Sequence, residues 1–376
     1  MGKLSHTSIG LNSLFLCIIF LLTTSATRAQ HAITQVTATL TTGVTTTRDS
    51  FIGAGYTAGT EGSVGDTVHY NFSNSTLAVN SVTANSQLWN VQAGGTLKLR
   101  RNSGGGNRTL GWYLENAART GSVGNYTYSF YGQYQSNEES LLGGNNLLVG
   151  TDNIFVNNST SPHHNTIERV DVLFPSGLTI SSTLGFTVYD RGAVNAHDSV
   201  GIAGITALGT VNGDAQAPTN YGTKINLTSA NYGTANLTAD LTGAGGTLSL
   251  TQNYVIMRQN GTLATDDTGT ADYLGGRSNQ GIGGVLIPST ALGTAGSTIY
   301  GFSLFGGDTV GSGSGLADWL NTSAYPSSAD AATATGLDLV GASSSYMQAV
   351  LPEPTPLALL LLGLPCLVRR RTRRAL

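Results

Sequence analysis

From residue 32 onward, short runs rich in Val, Ile, Thr, Tyr and Phe are broken by Gly, Asn, Asp or Ser. The breaks recur about every 8–12 residues, the rhythm of short strands joined by turns in a sandwich or barrel. Good examples are Thr67–Phe72, Thr96–Leu99, Tyr126–Tyr131, Val170–Phe174, Phe186–Tyr189 and Tyr254–Met257. Helical periodicity is nearly absent, and Leu316–Leu320 is the best single-turn candidate. Charged residues make up only 10% of the chain, too few to coat the exposed faces of a helical bundle. Apolar residues reach 40%, which separates the chain from disordered sequences and supplies a core. The expectation is an all-β body, a β-sandwich or jelly-roll-like fold, between two short apolar terminal signals.

The two ends differ from this body. Lys3 and His6 precede the apolar run Leu14–Leu22, which gives way to small and polar residues up to Ala29. That order is a secretory signal peptide, because the apolar run is too short for a membrane span of about 20 residues. Cleavage is expected after Ala29. Cys17 lies in the middle of the run with no small residue before it, so a lipoprotein reading fails. At the other end, Pro352-Glu353-Pro354 leads into the apolar run Leu357–Val368, which includes Leu362. A cluster of Arg369, Arg370, Arg371, Arg373 and Arg374 follows. As a helix the run would be about 18 Å long at 1.5 Å per residue, short of a hydrocarbon core of about 30 Å. The arginines would stay cytoplasmic by the positive-inside rule, placing the body outside.

A Pro-Glu-Pro triplet, a short apolar segment and a terminal arginine cluster, in a chain with a signal peptide, resemble the PEP-CTERM sorting signal. The resemblance covers residues 351–376. It implies recognition of Pro352, Glu353 and Pro354 by an exosortase-like processing enzyme. It further implies transient inner-membrane association through a segment that includes Leu357, Leu362 and Val368, with the arginines as a cytoplasmic stop. It also implies a Gram-negative-type bacterium, with exopolysaccharide as a potential partner.

Both cysteines, Cys17 and Cys366, fall inside the terminal signals, so the body folds without disulfides and holds no thiol nucleophile or Cys-ligated metal. Residues 30–350 carry 11 Lys and Arg against 20 Asp and Glu, about nine net negative charges. Nucleic acid, which needs a basic patch, is therefore not an expected partner. Composition shifts suggest a signal peptide at 1–29, an N-terminal β-rich region at 30–105 and a main domain at 106–322. A small-residue-rich stalk at 323–350 would lead to the sorting signal at 351–376. A repeat, Asn220–Thr228 and Asn231–Thr238, reads as two adjacent strands joined by a tight turn.

Catalytic motifs with fixed spacing are absent from the sequence: it has no GxSxG elbow, HExxH, Walker loop or GxGxxG. Gly281–Gly284 reads as a loop. His163 and His164, or Asp190 with His197 and Asp198, are the candidate metal ligands, against the plainer reading of solvated turns. Glu138 and Glu139 would point to opposite faces of a strand and so could not converge as a glycosidase pair. Asp266, Asp267 and Asp272 lack EF-hand spacing but leave a structural Ca²⁺ open; no other cofactor is expected. Tyr126, Tyr128 and Phe130 share a strand face and offer a sugar-stacking platform, with burial in the core as the competing reading.

Together these features point to an exported, non-catalytic cell-surface or extracellular-matrix protein with a structural or adhesive role. The alternatives are a lectin-like carbohydrate-binding module and a secreted hydrolase. N-terminal sequencing of extracellular protein should find a start within a few residues of Gln30; an intact Met1 would contradict the signal-peptide reading.

Overall fold

The computed structural model describes residues 30–50, 68–102, 111–114, 129–130, 139, 142–158, 167–193, 196–233, 237–243, 245–250, 252–258, 273–329 and 336–351. Among them the strands are β1 (His31–Ser50), β2 (Val68–Ala84), β3 (Gln87–Gly94), β4 (Thr96–Arg101), β5 (Gly111–Leu114) and β6 (Ser129–Phe130). Next come β7 (Val149–Asp152), β8 (Ile167–Thr179), β9 (Leu184–Ala193), β10 (Val200–Val211), β11 (Asp214–Leu227) and β12 (Thr238–Leu241). The last are β13 (Thr247–Ser249), β14 (Gln252–Arg258), β15 (Tyr273–Pro288), β16 (Thr298–Phe305) and β17 (Ser345–Ala349). Among the described residues the protein is all-β: strands account for 60%, and no helix reaches seven residues.

The larger sheet closes on itself. Its order runs β1-β2-β3-β17-β9-β15, and β15 returns to β1 through His31 opposite Leu286 and Ala32 opposite Val285. Every junction in this ring is antiparallel, so an even number of strands closes without conflict. Period-two alternation then sends one set of side chains inward. Ile33, Val36, Val82, Trp89, Tyr189, Ile282, Leu286 and Met347 join one buried cluster, the barrel interior. Their neighbours Phe186, Val188, Val285 and Ile287 face outward. These pack against Val170, Val172, Ile202, Phe302 and Leu304 of the second sheet, ordered β11-β10-β16-β8-β4. The far face of that sheet is covered by residues 313–325, where Leu316, Trp319 and Tyr325 are buried on Phe305 and Ile205. The body is thus a barrel, a sheet and a covering strap, with apolar layers between them.

Three organisational expectations change. The described parts of the segment expected as a stalk at 323–350, residues 323–329 and 336–350, are folded into the body. Leu337, Leu339, Val340 and Met347 are buried, and β17 sits between β3 and β9 in the middle of the large sheet. Small residues serve packing here: Ser343 Oγ accepts from the Tyr189 N–H at 3.0 Å, and Ser344 is fully buried. The boundary near 105 does not separate domains, because β1–β3 share the barrel with β9, β15 and β17, while β4 pairs with β8. The repeat does not form a strand pair. Its first copy lies in β11, whereas the second begins in a 3-10 turn, Ser229–Asn231, and reaches β12 in the other sheet. The Asn231 side chain accepts from the Thr228 N–H at 2.7 Å, and buried Tyr232 follows, carrying the chain from one sheet to the other.

Gly281–Gly284 is not a loop but the middle of β15, paired with β9. Gly283 and Gly284 are required by close approach. A Cβ on Gly284 would fall 2.8 Å from the Tyr189 ring and 2.9 Å from Ile33, inside the barrel.

A strand in the middle of a sheet and a stalk respond differently to mutation. Met347→Ala should destabilise the protein by about 2–5 kcal/mol, as for other buried truncations. Leu351→Ala, at a residue 68% exposed, should stay within about 0.5 kcal/mol. Urea denaturation of the two variants checks this, and equal small losses would contradict it.

Candidate functional site

The loop from β9 to β10 crosses between the two layers and brings Asp190, His197 and Asp198 together. Asp190 accepts three hydrogen bonds: from His197 Nδ1 at 2.9 Å, the Asp198 N–H at 3.0 Å and the Asp338 N–H at 2.9 Å. The sequence signal for the first three was proximity along the chain. Asp338 lies 148 positions from Asp190, and nothing local to it marked it as a partner. Its carboxylate accepts from the Asn153 N–H at 2.7 Å, so one acid ties together β9, the loop after β7 and the segment before β17.

The site is a buried structural knot. Asp190 and Asp338 hold neighbouring chains through backbone donors, and His197 is 5% exposed. The imidazole lies flat on β15: a Cβ on Gly283 would fall 2.3 Å from His197 Nε2, and the ring packs 5.0 Å from that of Tyr232. Nε2 therefore meets backbone rather than an opening. Among the described residues, no group of three or more His, Cys, Asp or Glu is arranged to hold a metal ion. Burial pushes all three carboxyls up; the Asp190 charge adds to it at Asp198, which rises to about 8, and at Asp338.

A second buried polar cluster, with no linear signature, lies on the strap-covered face of the smaller sheet. Period two puts Arg100, Arg169, Asp171 and Ser303 on that face of β4, β8 and β16. Arg169 Nε donates to Asp171 Oδ1 at 2.7 Å, Arg100 Nε donates to Oδ2 at 2.6 Å, and Ser303 donates at 2.5 Å. Burial alone would raise Asp171, but the Arg169 and Arg100 guanidiniums outweigh it and hold the carboxyl below its usual range. Arg100 also pairs with Asp214 at the edge. Both guanidiniums stack on Trp319, at 4.8 and 5.0 Å from its ring. Arg169 Nη1 donates to the carbonyls of Leu316 and Ala317 at 2.6 and 2.9 Å, fixing the strap.

Glu139 sits in a single helical turn, not a strand, since the Gly143 N–H donates to its carbonyl at 2.7 Å. Its side chain accepts from the Leu99 N–H at 3.0 Å, occupying part of the open edge of β4, and lies 3.8 Å from Lys98 Nζ. That is a structural role. Phe130 lies in β6, which pairs with the start of β2. Glu138, Tyr126, Tyr128, His163, His164, Asp266, Asp267, Asp272 and everything from Pro352 on lie outside the described residues.

A shallow groove of about 680 Å³, clear of these buried clusters, lies on the outer face of β1-β2-β3. It is lined by Thr37, Ala78, Val79, Asn80, Ser81, Asn90, Val91, Gln92, Asn145 and Thr242, none of them charged.

No family model matches the chain, and no curated protein matches it. A solved structure described as "The 2.6A structure of Infectious Bursal Virus Derived T=1 Particles" aligns at 12% identity over 90% of this chain and 86% of that chain. Its TM-score of 0.09 means that the two chains do not superpose, and it carries no argument about fold or function.

The buried acids set a pH dependence. An unfolded aspartate titrates near 3.8, whereas folded Asp198 holds its proton to about pH 8. Its contribution to stability is complete below pH 3.8 and is lost as the pH rises through 8. Glu168, pushed up to about 8 by burial against the pull of Asn157, acts in the same direction. Asp171 and Asp214 are shifted down, so their contributions fade only below about pH 4. The thermal midpoint should therefore fall between pH 5 and pH 8, by at least about 2 °C, the shift that about 1 kcal/mol produces in a large domain. Asp198→Asn should shrink the fall. A midpoint that rises over this range would contradict the assignment.

Proposed function

We propose that this protein is an exported, non-catalytic structural or adhesive component of the cell surface or extracellular matrix of a Gram-negative-type bacterium. In this reading an exosortase-like enzyme processes its C-terminus. The observation that carries it is the order of features at the two ends: a signal peptide before Gln30, then Pro352-Glu353-Pro354, a short apolar run and the arginine cluster. The geometry of the body supports the same reading. The first described strand starts at His31, two residues past the expected cleavage point, and the last ends at Ala349, three residues before Pro352. Because β17 is hydrogen-bonded on both sides, a pull on the C-terminal tether would be borne by two ladders rather than peeling one edge strand. The body reaches this without cysteines, so its stability is independent of the redox state outside the cell.

A second reading, a carbohydrate-binding module, is favoured by the uncharged polar groove on the barrel. A secreted hydrolase is the third; turnover on a panel of polysaccharides would promote it over the other two.

Glu353→Ala or Pro354→Ala should leave export intact and block later processing, so that unprocessed protein accumulates in the inner membrane. Pulse-chase labelling with fractionation reads this out. If both variants reach the surface with wild-type mass and yield, the C-terminal segment is not a sorting signal.

A further inference from the structure

We infer that the groove on the outer face of β1-β2-β3 is a binding site for an uncharged polysaccharide. The inference rests on the exported reading only for where such a ligand is met.

Two irregularities of the barrel lie at the site. In the β1–β2 ladder, Thr37 pairs with Ser81 and Ala38 with Val79, so Asn80 is an extra, unpaired residue. In the β3–β17 ladder, Tyr346 pairs with Ala93 and Met347 with Val91, so Gln92 is extra in the same way. A bulge turns a side chain away from strict alternation, and such devices gather where a sheet must aim a residue. Both bulged residues line the groove, together with their neighbours Ser81 and Val91. The β1–β2 bulge thus adds the Asn80 amide to a face where Asn90 and Gln92, two residues apart on β3, already stand together by alternation.

The floor follows the register. Thr37, Ser81 and Asn90 stand opposite one another on three adjacent strands, and Gln348 continues the row on β17. Strands lie about 4.8 Å apart, so the row offers a hydrogen-bonding group at a repeat comparable with one sugar ring after another. Small Ser81 and Ala78 keep the floor low between taller amides. Asn80 Nδ2 donates to Thr39 Oγ1 at 2.9 Å and Thr242 Oγ1 at 3.1 Å, which fixes the amide and leaves its carbonyl oxygen as the remaining acceptor. On the wall, Asn145 donates to the Val79 carbonyl, while its own Oδ1 is buried with no hydrogen-bond partner in the protein.

The chemistry of that filler is narrow. It needs many hydroxyls to meet four amides, two threonines and a serine, and some C–H surface to lie on Ala78. It should carry no anionic groups, because no cation lines the groove and Asp240 is paired in register with Thr37. Asp240 is itself engaged by Gln35 Nε2 at 2.6 Å. Nucleic acid and uronic-acid polymers both fail this requirement. The open, shallow form suits a stretch of chain rather than an enclosed small molecule.

Affinity electrophoresis of the whole exported protein in gels containing dextran, galactomannan or alginate tests this. At least one of the two neutral polymers should retard the protein while the polyuronate alginate does not. Asn90 and Gln92 are both exposed, so Asn90→Ala with Gln92→Ala should leave the melting midpoint unchanged. The double variant should weaken the retardation about 5- to 100-fold, the loss of about one neutral hydrogen bond per residue. Three results would overturn the proposal: no retardation by either neutral polymer, equal retardation by alginate, or undiminished retardation of the folded double variant. Failure of the exported reading would appear in cell fractionation instead and would leave this binding result unchanged.

Discussion

Backbone groups removed from water must find partners, and a sheet with free edges leaves a row of them unpaired. Here six antiparallel strands solve this by closing into a ring, and the closing contact is small: His31 and Ala32 against Leu286 and Val285. Much else depends on that ring. It encloses Trp89, Tyr189 and Met347, gives the second sheet a wall of Phe186, Val188, Val285 and Ile287 to pack on, and presents the groove on its outer face. It also draws together the two extremes of the body, since β1 lies just after the expected signal cleavage and β17 just before Pro352. Contacts this distant in sequence carry a large loop-closure cost, which slows folding.

Polar interactions take the place that disulfides hold in many secreted domains. The carboxylate of Asp171 between Arg169 and Arg100, and that of Asp190 between His197 and two backbone donors, link segments far apart in the chain. Pairs of this kind are costly to bury, and removing one partner leaves an uncompensated charge. Their value lies in geometry: Arg169 positions the strap through the Leu316 and Ala317 carbonyls, and Asp338 positions the segment that leads into β17.

The all-β class was legible because strands announce themselves locally. Val170–Phe174 and Phe186–Tyr189 lie inside β8 and β9, and Thr96–Leu99 opens β4. What sequence reading missed was pairing over distance. Ser323–Ser345 has the composition of a linker, yet small residues are what a crowded junction between β17 and β9 accommodates. Gly281–Gly284 looks like a turn, and only the rings of Tyr189 and His197 lying against it explain glycine in a central strand. At the candidate sites, Asp190, His197 and Asp198 were visible as near neighbours, but their burial and the arrival of Asp338 were not. The groove was invisible because Asn80 joins it only through the register slip of the β1–β2 ladder, while Asn145 and Thr242 reach it from distant parts of the chain.

Amide hydrogen exchange at Tyr346, Met347 and Gln348 in the whole protein is the most direct test of the closed ring. These residues lie in ladders on both sides of β17, so their exchange should require global unfolding and be as slow as that of Val188 or Leu286 in β9 and β15. Exchange at the rate of an exposed segment, with β9 and β15 still protected, would show that the C-terminal strand is not part of the ring and would contradict the architecture described.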